Sequence, residues 1–210
     1  TSGLTTDNDG LTITTAASTS ATITTGLGAD TITGGAASDS ITGNRGADSI
    51  TGGGAADTIT LTESVSAADI VRWTGTTAAL ITTETGAATG DTDFTAGTAG
   101  DKVVGFVSGT DKLHFPAALT TSAAGTEVDT LVTIAAGGTV PNTAMYVEIT
   151  TAFDGTTGDA ITDLNALTTT AVAIGDSFIA FMNDGTNGYL FLVEQVSAAD
   201  TIAAQDVTLI

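Results

Sequence analysis

Asp30, Asp39, Asp48 and Asp57 recur every nine residues, each between a Gly- and Ala-rich stretch and a Thr/Ser-Ile-Thr triplet. The four units, TGLGADTIT, GGAASDSIT, GNRGADSIT and GGGAADTIT, run in register from residue 25 to 60. A carboxylate at constant phase beside glycines is a ligand pattern. The Asp supplies charge, and Gly26, Gly28, Gly35, Gly46 and Gly53 let the backbone turn at positive φ and aim carbonyl oxygens at one spot. Stacked turns of this kind offer about six oxygens, the coordination Ca²⁺ accepts. Cysteine is absent and His114 is the single histidine, so carboxylate, carbonyl and hydroxyl oxygens dominate and favour Ca²⁺ over zinc or copper. Asp69, Asp101 and Asp111, each followed two residues later by an aliphatic, extend the candidate metal ligands beyond the repeat. Asp91 and Asp93 read as solvated loop residues, and Asp7-Asn-Asp-Gly10 as a surface turn.

These residues need a scaffold with the same period. A nine-residue unit is too short for anything but a turn and a very short strand, and alternation sends Ile32, Ile41, Ile50 and Ile59 inward and their hydroxyl neighbours outward. One unit cannot bury its Ile alone. Two units therefore make one coil, and stacking places the first unit beside the third and the second beside the fourth. Leu11-Thr-Ile13 and Thr22-Ile23-Thr24 carry the strand signature upstream without the aspartate. The expected fold is mainly β: a parallel β-roll over residues 1–74 with nonapeptides at 25–60, then a Thr-, Ala- and Gly-rich loop or insertion over 75–100. A β-rich C-terminal region over 101–210 follows. Its expected strands are Leu131–Ala135, Ala144–Thr150, Ser177–Met182 and Tyr189–Glu194, the last two joined across Asn183–Gly188. Ala160, Ile161, Leu164 and Leu167 fall at helical spacing and predict one short helix.

Charge narrows the function. Against 24 acidic residues stand only Arg45, Arg72, Lys102 and Lys112, a formal net charge of −20. Nucleic acid is excluded as a partner, and no apolar run is long enough to insert in a membrane as a helix. Four cations cannot pair 24 carboxylates, so metal ions are one way to relieve the repulsion. No enzyme is expected, because no cysteine nucleophile exists and His114 lies in no recognisable catalytic context.

The four units resemble the G-G-x-G-x-D-x-U-x nonapeptide of RTX proteins, which bind Ca²⁺ in a parallel β-roll. They depart from it at Thr25 in the first position, Asn44 in the second, and Ala37 and Ala55 in the fourth. Ala resists positive φ, so the side holding Asp39 and Asp57 is expected to bind more weakly than that holding Asp30 and Asp48. Residues 99–115, AGDKVVGFVSGTDKLHF, are similar to the stretch that follows the repeats in RTX proteins, with Gly105 and His114 standing where acids are common. The resemblance implies export by the type I secretion machinery through a C-terminal signal, here VSAADTIAAQDVTLI. Residues 1–25 carry no basic and apolar leader. A Thr-, Ala- and Gly-rich chain without cysteine and with such repeats also resembles the C-terminal part of the calcium-dependent S-layer proteins of stalked alphaproteobacteria. That resemblance implies an extracellular place on the bacterial cell surface and self-association into a lattice, with Ca²⁺ supporting folding and lateral contacts. The alternatives are the C-terminal RTX module of a secreted adhesin or protease, and an ice-binding solenoid presenting Thr31, Thr33, Ser49 and Thr51.

Overall fold

The computed structural model describes residues 2–3, 9–16, 18–76, 78–86, 100–116, 128–134, 144–150, 164, 177–183, 187–194 and 207–210. The chain forms two compact units, one of Thr1–Gly75, Thr83–Gly86 and Gly100–Pro116, the other of Thr76–Thr82, Ala87–Ala99 and Ala117–Ile210.

The first unit is a parallel β-roll. Its strands are β1 (Ser2–Gly3), β2 (Thr12–Thr14), β3 (Thr22–Thr24), β4 (Thr31–Thr33), β5 (Ser40–Thr42), β6 (Ser49–Thr51), β7 (Thr58–Thr60), β8 (Ile70–Arg72), β9 (Lys102–Val104) and β10 (Lys112–His114). The chain crosses between two sheets at every turn, giving a first sheet ordered β1-β3-β5-β7-β9 and a second ordered β10-β8-β6-β4-β2. Ile23 pairs with Ile41 and Ile41 with Ile59, while Ile13 pairs with Ile32 and Ile32 with Ile50. Alternate units thus stack as their period demands. β-branched Thr and Ile suit these three-residue strands, and the central Ile of each is the buried one: Ile41, Ile50 and Ile59 are 0% exposed. Trp73 stacks on Phe115 with ring centroids 4.8 Å apart and planes inclined by 11°, and both are buried.

The roll runs on past residue 74. β9 pairs with β7 and β10 with β8, because Asp101-Lys-Val103 and Asp111-Lys-Leu113 keep the Asp-x-aliphatic phase after a long intervening segment. Within that segment, expected as loop or insertion, Ala78–Thr85 forms the helix α1, with Ile81 buried.

The second unit holds a five-stranded sheet of β11 (Val128–Ile134), β12 (Ala144–Ile149), β13 (Ser177–Asn183), β14 (Gly188–Glu194) and β15 (Val207–Leu209) in that order. β11, β12 and β13 run parallel, and β13–β14 is an antiparallel hairpin closed by the Asn183–Gly188 pair. Phe178, Ile179, Ala180, Met182, Phe191, Leu192 and Val193 are buried, so the apolar runs of these strands are core. Val207–Leu209, in the tail assigned by resemblance to export, pairs antiparallel with Phe191–Val193. The helix expected around residues 160–167 lies outside the described residues except for Leu164, which is helical and fully buried.

Candidate metal centre

The aspartates stand at the entrance to each strand, and the roll stacks them in two columns. Asp30, Asp48, Asp69 and Asp111 precede β4, β6, β8 and β10 of the second sheet; Asp39, Asp57 and Asp101 precede β5, β7 and β9 of the first. One carboxylate oxygen of each has the same task. Oδ1 of Asp30 accepts the N–H of Leu11 at 2.8 Å, Oδ1 of Asp48 that of Asp30 at 2.8 Å, Oδ1 of Asp69 that of Asp48 at 2.9 Å and Oδ1 of Asp111 that of Asp69 at 3.2 Å. The other column repeats this: Asp39 accepts from Ala21 at 2.7 Å, Asp57 from Asp39 at 2.7 Å and Asp101 from Asp57 at 2.9 Å. Each carboxylate therefore ties its own coil to the coil before.

The second oxygen separates the aspartates. Oδ2 of Asp39 accepts the N–H of Gly35, Oδ2 of Asp111 that of Val107, and Oδ2 of Asp101 the indole N–H of Trp73. In Asp30, Asp48 and Asp57 it is buried with no hydrogen-bond partner. These three residues are each 1% exposed. Burying a carboxylate oxygen without a donor is costly, and a cation is the partner that removes the cost.

The turns leave room for these oxygens. A Cβ on Gly43 would lie 2.2 Å from Oδ2 of Asp48, and one on Gly52 2.2 Å from Oδ2 of Asp57, so any side chain there would displace the carboxylate. Successive turns also press together through their backbones. A Cβ on Gly46 would sit 2.2 Å from the carbonyl oxygen of Gly28, and one on Gly53 2.0 Å from that of Gly35. Of the five candidate glycines, Gly46 and Gly53 have positive φ, 113° and 116°, whereas Gly26, Gly28 and Gly35 do not. For Gly28 the reason is close approach, since a Cβ would meet the Asp9 carbonyl oxygen at 2.5 Å. The expectation that all five turn at positive φ is corrected accordingly.

Two departures from the repeat meet each other. Asn44 donates from Nδ2 to the Thr25 carbonyl, and Thr25, fully buried, donates from Oγ1 to the Gly43 carbonyl at 2.7 Å. Ala55, standing for glycine, adopts the left-handed conformation at φ 67°, as does Asn44 at φ 59°.

Electrostatics follow burial. Desolvation pushes the Asp48 carboxyl up to about 7, and repulsion from Asp69, Asp30 and Glu63 adds to it against the opposing backbone hydrogen bond from Asp30. Burial likewise raises Asp57 and Asp69 to about 6 and Asp101 to about 7. Sequence reasoning missed two further acids. Glu63 contributes a fourth orphan carboxylate oxygen, since its Oε1 accepts the Ala67 N–H while Oε2 is buried without a partner. Glu84 on α1, also buried, accepts the N–H groups of Thr74 and Gly75 and the Thr74 hydroxyl. Glu63 had a signal, standing eighteen residues after Arg45 at the same phase of the roll; Glu84 had none. Among the described residues no three acidic or histidine side chains converge as a ready-made cage. Asp91, Asp93 and Asp7 lie outside the described residues, and Asp9 is exposed.

Orphan carboxylate oxygens, turns open only to glycine, and a donor set made of oxygen together fit Ca²⁺. Asp30, Asp48 and Asp57 would hold it, with backbone carbonyls of the stacked turns. The ion would supply positive charge to carboxylate oxygens that no hydrogen-bond donor among the described residues reaches. Residues 22–60 match the family described as the RTX calcium-binding nonapeptide repeat, in four copies. No curated protein and no solved structure matches the chain.

Proposed function

From the premise that the nonapeptides of residues 22–60 are calcium-binding motifs, we propose that the chain is the C-terminal part of a surface-layer lattice subunit. Ca²⁺ drives its folding and its lateral assembly on the bacterial cell surface, and its role is structural rather than catalytic. One observation carries the calcium half: the buried, donorless Oδ2 atoms of Asp30, Asp48 and Asp57. Their cost falls on the folded state alone, so an ion that removes it stabilises the fold by the full difference in affinity. The lattice half is supported by composition. A net charge of −20 keeps copies apart until divalent ions screen or bridge them, and without cysteine these residues form no disulfide between copies. Type I secretion is the export route that accompanies such repeats, and the machinery is the second partner.

Electron microscopy of the purified chain tests this reading. Ordered two-dimensional sheets should form in millimolar Ca²⁺ and disperse in chelator. A chain that folds with Ca²⁺ yet stays monomeric by light scattering sinks the lattice reading and leaves an adhesin or protease module in its place.

A further inference from the structure

Charge divides unevenly between the two units. The second holds thirteen of the 24 acidic residues and no lysine, arginine or histidine. The first holds all four cations and His114. Seven of its eleven acids are buried, six of them ladder aspartates and the seventh Glu84, so the fold withdraws them from the surface.

The second sheet of the roll has an outer face free of acid. Its strands β2, β4, β6, β8 and β10 contain no Asp or Glu, and alternation around the buried Ile32, Ile50 and Val71 turns their neighbours outward. On β2, β4 and β6 those neighbours are hydroxyls. On β8 and β10 they are Ile70 and Arg72, and Lys112 and His114, with Lys112 opposite Ile70 and His114 opposite Arg72. Lys112 and His114 are exposed, and Arg72, half-buried, donates from Nε to Oγ of Ser49 at 2.9 Å. Among the described residues none of the three meets a carboxylate. Arg72 and Lys112 are diagonal neighbours on paired strands, and two cations so placed repel unless an anion lies over both.

The complement of this face exists in the chain itself, as a unit that is acidic throughout. We propose that the outer face of the second sheet, through Arg72, Lys112 and His114, docks the acidic unit of another copy. Different surfaces meet on the two copies, so the contact is heterologous and repeats from copy to copy instead of closing a two-fold dimer. It rests on the lattice reading above and gives that lattice a direction. Ca²⁺ keeps its part, since it folds the roll that presents the face and screens the remaining charge.

Self-association of the full chain in millimolar Ca²⁺, followed by analytical ultracentrifugation, tests the contact. Reversing charge in Lys112→Glu/His114→Glu should weaken association about tenfold or more, Lys112→Gln should weaken it less, and Lys112→Arg should retain it. Raising NaCl to about 0.5 M should weaken the parent in the same direction. Ca²⁺ uptake and the melting temperature in Ca²⁺ should match the parent's in all three variants, because the changed side chains are exposed. Mixed with parent, the double variant should shorten the assemblies, since it still offers its acidic unit but cannot receive another. Association unchanged by the reversal, or mixtures that grow as the parent does alone, would overturn the contact. So would a melting temperature lowered by Lys112→Gln, which would make the face part of one chain's own fold. Intact association with lost binding to phosphatidylglycerol vesicles would assign the face to an anionic membrane surface instead. A parent that takes up Ca²⁺ and folds yet stays monomeric would bring down the lattice reading beneath it.

Discussion

Ala55 at φ 67° and Asn44 at φ 59° hold conformations that the repeat assigns to glycine. Asn tolerates the left-handed region, and its amide here binds Thr25; Ala has no such compensation. The strain of an L-residue at that φ exceeds the unfolded-chain entropy that glycine adds, so Ala55→Gly should stabilise the roll by about 0.5–1 kcal/mol. An unchanged urea midpoint in saturating Ca²⁺ would mean that Ala55 costs nothing there. The sequence allows Ala at this position but does not show that the turn keeps its shape in spite of it. Nor does it separate Asp57 from Asp39, since both stand at one phase. The difference lies in whether a nearby amide, Gly35 for Asp39, reaches the second oxygen. Trp73 does the same for Asp101 from twenty-eight residues away, beyond the reach of any spacing rule.

The strands carry the stability. Ile41 is 0% exposed and stacked between Ile23 and Ile59, so Ile41→Ala should cost about 2–5 kcal/mol, whereas Thr42→Ala, on the outward side, should cost less than about 1 kcal/mol. Denaturant unfolding of both variants checks the order, and its reversal would put the hydroxyl rows inside. The elements were largely legible because one period fixes both burial and pairing: the Ile phase predicts β3 to β7, and the pairing of alternate units follows from two units per coil. β11 to β14 were legible as apolar runs bounded by turn residues. What escaped was α1, whose AALITTET offers no apolar stripe, whereas the triplets at Asp101 and Asp111 signalled an irregular continuation of the roll that β9 and β10 provide. Across a long interruption, an Asp-x-aliphatic triplet says that a coil exists but not which edge receives it.

Across the molecule the carboxylates set the response to pH and metal. Asp48 and Asp101 rise from 3.8 to about 7, and Asp57 and Asp69 to about 6, so the folded chain binds protons that the unfolded chain releases. Without metal that stabilisation is complete below the unfolded value near 3.8 and is lost as the pH climbs through 6 to 7. Ca²⁺ inverts the slope, because it competes with those protons and gains ligands as they leave. Melting followed by circular dichroism should therefore fall from about pH 5 to about pH 8 in chelator and rise over the same interval in millimolar Ca²⁺. Parallel curves would mean that the buried aspartates are not where the ion acts. The aspartate ladder has a further, kinetic consequence. Its bonds within the nonapeptides close loops of 18 residues, that between Asp48 and Asp69 one of 21, but those of Asp101 and Asp111 close loops of 44 and 42. Closure entropy costs about 0.6 kcal/mol per doubling of length, so the repeats are the inexpensive place to begin and each coil templates the next at the same short reach. The final two rungs are the dearest to close, and β9 and β10 join a roll that is already built.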